Sequence, residues 1–252
     1  MRPAYITATS SHRRASTPMS WLTQTMGCAA YRVDPGGVGD IIATSLNGRQ
    51  FASAIQAPGF YYCKVETSRV AVCHQLESHG FRLVDSNISL EAEVGQIDAK
   101  SSGSVRLASS EDRDAVMQVA RTAFTQSRFH LDPGIPTAVA NEIKAAWAGN
   151  YFAGSRGQFM VVAELHGEMA GFMQLLSHPE QGLTIDLIGV DTAARGKGLG
   201  RAMIAYALVA CGSPTRLRVG TQAANVRSLR FYETLGFRVT ASSFVFHLHR
   251  HS

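Results

Sequence analysis

The densest run of chemistry-bearing residues is Asp191-Thr192-Ala193-Ala194-Arg195-Gly196-Lys197-Gly198-Leu199-Gly200-Arg201. An apolar, strand-like segment, Thr184–Val190, leads into it, and a helical one, Gly198–Ala210, leads out. Glycines at alternate positions let backbone N–H groups converge without Cβ obstruction, and the helix N-terminus adds unpaired donors. Arg195, Lys197 and Arg201 raise the local positive potential. Such a turn is built to cradle an anion, although a tight turn with solvated basic residues would read the same way. Spacing excludes the two common nucleotide loops. A Walker loop needs Ser or Thr after its lysine, and Gly198 follows Lys197. A dinucleotide fingerprint needs its third glycine at 201, which is arginine, and an acidic residue about twenty positions on. Leu217–Gln222 offers none.

A second cluster lies downstream: Asn225, Ser228, Tyr232 and Gly236-Phe237, bracketing a helix over Val226–Leu235. Asn225 is also a ready N-cap, and Tyr232, at helical spacing from Leu229, also fits a half-buried core position. Together, Arg195-x-x-Gly198-x-Gly200 and Asn225…Tyr232 resemble the GNAT acyltransferase superfamily over about residues 104–252. The resemblance implies an α/β (α+β) fold with a mixed, mostly antiparallel sheet, and acetyl-CoA as cosubstrate with no metal. It implies that Arg195, Gly196, Lys197, Gly198, Leu199, Gly200 and Arg201 wrap the pyrophosphate. Ile188, Gly189 and Val190, on a splayed strand edge, would bond the pantetheine arm together with Asn225. Tyr232 would protonate the departing thiolate. A phenol with an ordinary pKa near 10 is a suitable donor at neutral pH.

Three further segments resemble a narrower branch, the nucleotide-activated amino-sugar N-acetyltransferases of the TDP-fucosamine acetyltransferase type. They are Ala123–Phe129, Leu217–Gln222 and Leu76–Asp85. That resemblance implies a small N-terminal α/β domain that helps to form the acceptor site. Asp85 falls where the relatives carry a carboxylate implicated in proton removal; Asp186 and His130 are the next candidates for the base. An Asp-Ser-Asn turn is the plain alternative for Asp85. Ser127, Arg128, Phe129 and His130 are expected to line the acceptor site, Arg128 gripping a phosphate and Phe129 offering a ring face. The partners implied are acetyl-CoA and a nucleotide-linked amino sugar of surface polysaccharide synthesis, with a homodimer left open. Two departures bear on the sugar. The glycine turn is closer to the general superfamily form, and the branch's N-terminal aromatic-Gly signature survives only as Trp21 and Met26-Gly27. Another primary amine as acceptor (a protein N-terminus, a polyamine, an aminoglycoside) stays open, as does a non-catalytic acyl-CoA-binding module.

The elements that must position these residues follow from periodicity. After Val105–Leu107, helices carry Val116, Val119, Ala120, Ala123 and Phe124, then Val139, Ile143 and Trp147. Gln158–Leu165 and Met169–Leu176 flank His166-Gly167-Glu168 as a hairpin, and the strand–turn–helix, a strand, a helix and a last strand complete the order. Upstream, Ser68–His79 reads as a helix ended by Gly80, and Leu76–Leu83 echoes Tyr232–Val239. That echo is either a truncated copy of the fold or two joints obeying one capping rule. His247, His249 and His251 alternate as on a half-exposed edge strand. The expected organisation is a loose tail over 1–20, an N-terminal α/β domain over 21–100 with a linker near Gly95–Ser104, and the acyltransferase domain over 104–252. With 252 residues, 45% apolar and a net charge of +5, the chain can bury a core. The charge is too mild, and too little interleaved with aromatics, to suggest a nucleic-acid binder. The longest apolar run, Ala202–Cys211, is far short of a membrane span. Four cysteines without paired or metal-type spacing suggest reduced thiols in a cytoplasm.

Overall fold

A computed structural model describes residues 16–33, 55–97, 104–178 and 182–251. The tail expected over 1–20 lies outside the described residues as far as residue 15, as does most of the expected linker. Strands are β1 Ser16–Pro18, β2 Ala30–Val33, β3 Gly59–Glu66, β4 Arg82–Glu93, β5 Ser104–Leu107, β6 Phe159–Leu165, β7 Glu168–His178, β8 Gly182–Val190, β9 Arg216–Gln222 and β10 Arg238–Arg250. Helices are α1 Ser20–Met26, α2 Val70–Ser78, α3 Arg113–Ala123, α4 Thr137–Phe152, α5 Leu199–Ala210 and α6 Val226–Glu233. All ten strands join one sheet in the order β1-β2-β3-β10-β4-β9-β8-β7-β6-β5. Its pairings are antiparallel except β2–β3 and β8–β9, as expected for a mixed α/β sheet.

Strand alternation builds two apolar layers. β6 sends Val161 and Ala163 into the core shared with Leu199, Met203 and Ala207 of α5, and Met160 and Val162 toward Val116, Val119 and Ala120 of α3. β3 sends Tyr61, Cys63 and Val65 against Val72 and Leu76 of α2, and Phe60 and Tyr62 toward Leu22 of α1 and Ile143 of α4. Helices therefore cover both faces.

The echo between Leu76–Leu83 and Tyr232–Val239 extends beyond a cap. Phe81 N–H donates to Leu76 O (3.0 Å) and Phe237 N–H to Tyr232 O (3.1 Å), and Gly80 and Gly236 share φ +89°. This is one capping motif used twice. The inner order β3-β10-β4-β9 maps onto itself when β3-α2-β4 is exchanged with β9-α6-β10. The likeness thus covers a whole strand–helix–strand unit, and it seats β4, with Asp85, in the sheet centre beside β9.

One expectation is corrected. β10 is not an edge strand, because β3 and β4 pair with it on either side. His247 is buried, with its Nδ1 2.6 Å from Asp132 Oδ2, and His249 Nε2 reaches the same oxygen at 2.8 Å. Burial pushes His247 down to about 4. His247 and His249 thus pin the segment between α3 and α4 to the sheet.

Candidate functional site

The site begins where β8 and β9 part. Their parallel pairing joins Gly182–Ile185 to Arg216–Val219 and goes no further, although β8 continues to Val190 and β9 to Gln222. Asp186 is the bulged residue in the β7–β8 ladder at that point. A bulge bends its strand and increases the local twist. Beyond it, Ile188, Gly189 and Val190 pair only with β7, while Gly220, Thr221 and Gln222 pair only with β4. Two backbone edges therefore face an opening. Gly189 is required there: a Cβ would stand 2.8 Å from Phe172 Cε1 and 3.2 Å from Ala123 Cβ.

The glycine turn caps this opening. Asp191 folds its start by accepting from Ala193 N–H (2.9 Å), and Gly196 and Gly198 take φ near +80°, a region side chains resist. Gly198 is the N-cap of α5. Among the described residues, the N–H groups of Gly196, Lys197, Gly198, Leu199 and Gly200 have no backbone acceptor. Such a row of donors at a helix N-terminus suits an anion. Arg195 does a different job from the one expected of a free basic residue. Its guanidinium donates to Ala123 O (2.7 Å) and Val190 O (3.3 Å), tying the turn to α3.

The cleft so formed has a volume of about 560 Å³. Ile188, Gly189, Val190, Arg195, Gly196, Gly198, Leu199, Gly200, Arg201, Asn225 and Tyr232 all line it. Lys197 is not among its lining residues. Asn225 Oδ1 accepts from Ser228 N–H (3.2 Å), so it caps α6 while bordering the cleft. Tyr232 packs against Phe231 and Phe237, and burial pushes its phenol above the ordinary value. It stays protonated at neutral pH.

Beyond Ser127 and Gln222, which border the cleft, lies a group of polar side chains, of which Asp85, Arg128 and Lys144 are buried and Lys64 is exposed. Asp85 of β4 is 7% exposed; burial raises its pKa, while hydrogen bonds from Ser86 and Gln222 and the charge of Lys64 oppose the rise. Lys64 of β3 donates to Asn87 Oδ1 (3.3 Å), and desolvation of its amine together with the nearby Arg128 lowers it to about 8. Lys144 of α4 lies over the rings of Phe124 (4.6 Å) and Trp147 (4.8 Å), and burial and Arg128 lower it to about 7. Arg128 stacks on Tyr62 (3.9 Å) and Phe129 (4.6 Å), and burial lowers it too.

The segment Ser127–His130 is divided by this arrangement. Ser127 lines the cleft, and buried Arg128 belongs to the cationic group. Phe129 offers no face to a ligand: it is fully buried between Phe60 and His247. His130 has both ring nitrogens engaged, Nδ1 with Ser127 Oγ (2.6 Å) and Nε2 with Asn141 Oδ1 (2.9 Å). Asp186 is saturated as well, taking two bonds from Arg156 (2.6 Å each), one from Trp147 Nε1 (2.8 Å) and one from Gln174 (3.3 Å). Of the three carboxylate or imidazole candidates for a base, Asp85 is the one beside a cleft-lining residue with a raised pKa. Lys64 and Lys144 belong to no motif that spacing alone singles out. A signal is nevertheless present: each is a lone cation inside an apolar pattern, Lys64 in Gly59–Val65 and Lys144 between Ala140 and Ala148. Among the described residues, no cluster of three or more His, Cys, Asp or Glu is placed to hold a metal. No helix among them is long and apolar enough to cross a membrane.

Comparison with known proteins agrees with this geometry. Residues 117–237 match the Acetyltransferase (GNAT) family. The chain is 33% identical over 139 residues to the spore coat polysaccharide biosynthesis protein SpsD of Bacillus subtilis, covering 54% of this chain and 47% of that one. It is 28% identical over 182 residues to the dTDP-fucosamine acetyltransferase of Escherichia coli O6:H1, covering 72% and 78%. The chain thus spans about half of the first relative's length and over three quarters of the second's. A GCN5-related N-acetyltransferase from Sphaerobacter thermophilus shares the fold with a TM-score of 0.61 at 13% identity, over 94% of this chain and 76% of that one.

Proposed function

We propose, from the premise that residues 117–237 form an acetyltransferase domain of the GNAT family, that this chain moves an acetyl group from acetyl-CoA to the amine of a nucleotide-activated amino sugar. The observation that carries the reading is the parting of β8 from β9 beneath a turn of unpaired N–H groups. A pyrophosphate suits the turn, and the pantetheine amides suit the free edge of Ile188–Val190. The sugar is supported by the names of the two relatives, one a polysaccharide biosynthesis protein and one a sugar-nucleotide acetyltransferase.

The chemistry assigns each group a task. The acceptor reaches the cleft as an ammonium and must lose a proton before it can attack. Asp85, a carboxylate with raised basicity beside Gln222, takes that proton. The amine nitrogen then bonds the thioester carbon, whose oxygen is stabilised by backbone N–H of the β8 edge. As the C–S bond breaks, Tyr232 donates its proton to the sulfur. The second proton, lost by the nitrogen as the amide forms, restores the phenol. CoA therefore leaves as the thiol, and the net proton released is the one on Asp85. Holding both reactants across one opening supplies much of the rate by alignment alone.

The test is a turnover screen with acetyl-CoA, following CoA release and product mass. Acceptors are UDP- and TDP-linked amino sugars, the corresponding free amino sugars, polyamines and an N-terminal peptide. Turnover confined to the nucleotide-linked sugars supports the proposal. Preferential turnover of polyamine or peptide overturns the acceptor, and binding of acetyl-CoA without turnover of any amine overturns the enzyme.

A further inference from the structure

The cations beyond the cleft are out of balance: Arg128 and Lys144 are buried, and Lys64 stands beside them with its side chain reaching solvent. Lys64, Arg128 and Lys144 come from three separate elements, β3, the α3–α4 connection and α4, yet act on one another electrostatically. Among the described residues, none of the three has a carboxylate within 4 Å; Asp186 is paired with half-buried Arg156, and Asp132 holds neutral His247 by a hydrogen bond. Two carboxylates are near enough to influence them. Asp186 is consumed by Arg156, so Asp85 alone is left against three cations. Exposed Arg32 adds to the excess, and His130 is neutralised by burial.

Isolated buried charges are costly, and a fold keeps them where something compensates. Aromatic faces compensate in part: Tyr62 and Phe129 under Arg128, Phe124 and Trp147 under Lys144. A ring face does not supply a counter-charge, and with all three cations protonated against Asp85 the formal excess is two. Phe124 and Ser127 border the donor cleft, so the excess lies next to where an acceptor must stand.

We infer that Lys64, Arg128 and Lys144 form a receptor for a doubly charged anionic oxygen group carried into the site by the acceptor. The identity of the carrier, the diphosphate of a nucleotide sugar, rests on the function proposed above; the receptor itself rests on the arrangement of the three cations. A diphosphate diester brings two negative charges, matching the excess. Arg128 supplies a planar fork of donors, and the two lysines supply point charges. When the site is empty, part of the charge is shed as protons, since Lys144 lies near 7 and Lys64 near 8. An arriving dianion raises both and draws protons back. Binding is therefore linked to proton uptake, of up to about 1.4 protons at pH 8 and about 0.1 at pH 6.

The test uses the full chain loaded with acetyl-CoA, titrated by calorimetry in buffers of different ionisation enthalpy. One probe is UDP-glucose, which carries a diphosphate but no amine and cannot be acetylated. The other is succinate, which carries two carboxylates. Quenching of tryptophan fluorescence gives a second readout, because Lys144 lies over Trp147. The expected result is UDP-glucose binding with proton uptake at pH 8, weakened tenfold or more in Lys144→Met and Lys64→Met, with the uptake reduced in each. Comparable binding by succinate alone would keep the receptor and overturn the nucleotide as its carrier. No proton-linked binding of either anion to the folded, loaded protein overturns the receptor. In that case, turnover of an amino-sugar nucleotide in the acceptor screen would still leave the acetyl-transfer reading standing.

Discussion

Replacing Lys144 with methionine should make the free protein more stable. Lys144 moves from an ordinary 10.5 to about 7 on folding, chiefly through burial. At about 1.4 kcal/mol per pH unit, keeping that amine inside costs on the order of 5 kcal/mol at pH 7. Methionine has the length to lie over Phe124 and Trp147, and it carries no charge to desolvate. If only a third of the cost is recovered after repacking, Tm at pH 7 rises by about 4 °C or more for a chain of this length. The pH dependence gives a sharper signature. Between about 7 and 10.5 the unfolded chain holds a proton that the folded chain lacks, so wild-type stability rises with pH through that window. Lys144 contributes about 1.4 kcal/mol per unit between pH 7 and 9, and Lys64, lowered to about 8, adds a share in the upper part. Lys144→Met should lose the first contribution and keep the second. The assays are urea unfolding at pH 7, 8 and 9 and a thermal melt at pH 7, without CoA, for both proteins. Equal slopes and an unchanged or lower Tm in the variant would refute the reasoning, because Lys144 would then carry no uncompensated charge.

Three further outcomes follow from the reaction geometry. Tyr232→Phe should lower kcat by about tenfold or more with little change in KM for acetyl-CoA, measured by CoA release, since the hydroxyl matters as sulfur departs; wild-type turnover would reduce Tyr232 to a packing residue. Asp85→Asn should abolish the limb of the kcat/KM profile that rises with pH. In the wild type that limb should lie above the ordinary carboxylate range, because burial raises the group; an unaltered profile in the variant would remove Asp85 as the base. Gly198→Val places a β-branched side chain at φ +79° in the turn and should weaken acetyl-CoA binding by tenfold or more in calorimetry, with the fold retained by circular dichroism.

Local rules make the donor side legible in the sequence. Gly198 is followed by a helix because a glycine can sit at φ +79° and release the N-terminal donors, and Asn225 caps because its side chain reaches Ser228 N–H. Gly80 and Gly236 end their helices where expected for the same reason. The acceptor side is less legible, because it is assembled by sheet order. No local signal says that β10 inserts between β3 and β4, so the alternation of His247 and His249 suggests a half-exposed edge instead of a grip on Asp132. Phe129 is expected at a ligand and lies in the core, since its fate depends on Phe60, nearly seventy residues away in sequence. Lys64 and Lys144 gain meaning only once β3 and α4 pack into one cluster, with Arg128 over Tyr62.

Whether the opening between β8 and β9 receives acetyl-CoA is read out by amide hydrogen exchange. With saturating acetyl-CoA, protection should rise at residues 188–190 and 196–200, whose N–H groups border the opening or lack backbone acceptors in the turn. Strands β5 and β6 at the far edge should exchange as before. Protection confined to those two segments is the predicted result. Unchanged exchange there, with acetyl-CoA bound by calorimetry, would contradict the account and place the donor elsewhere.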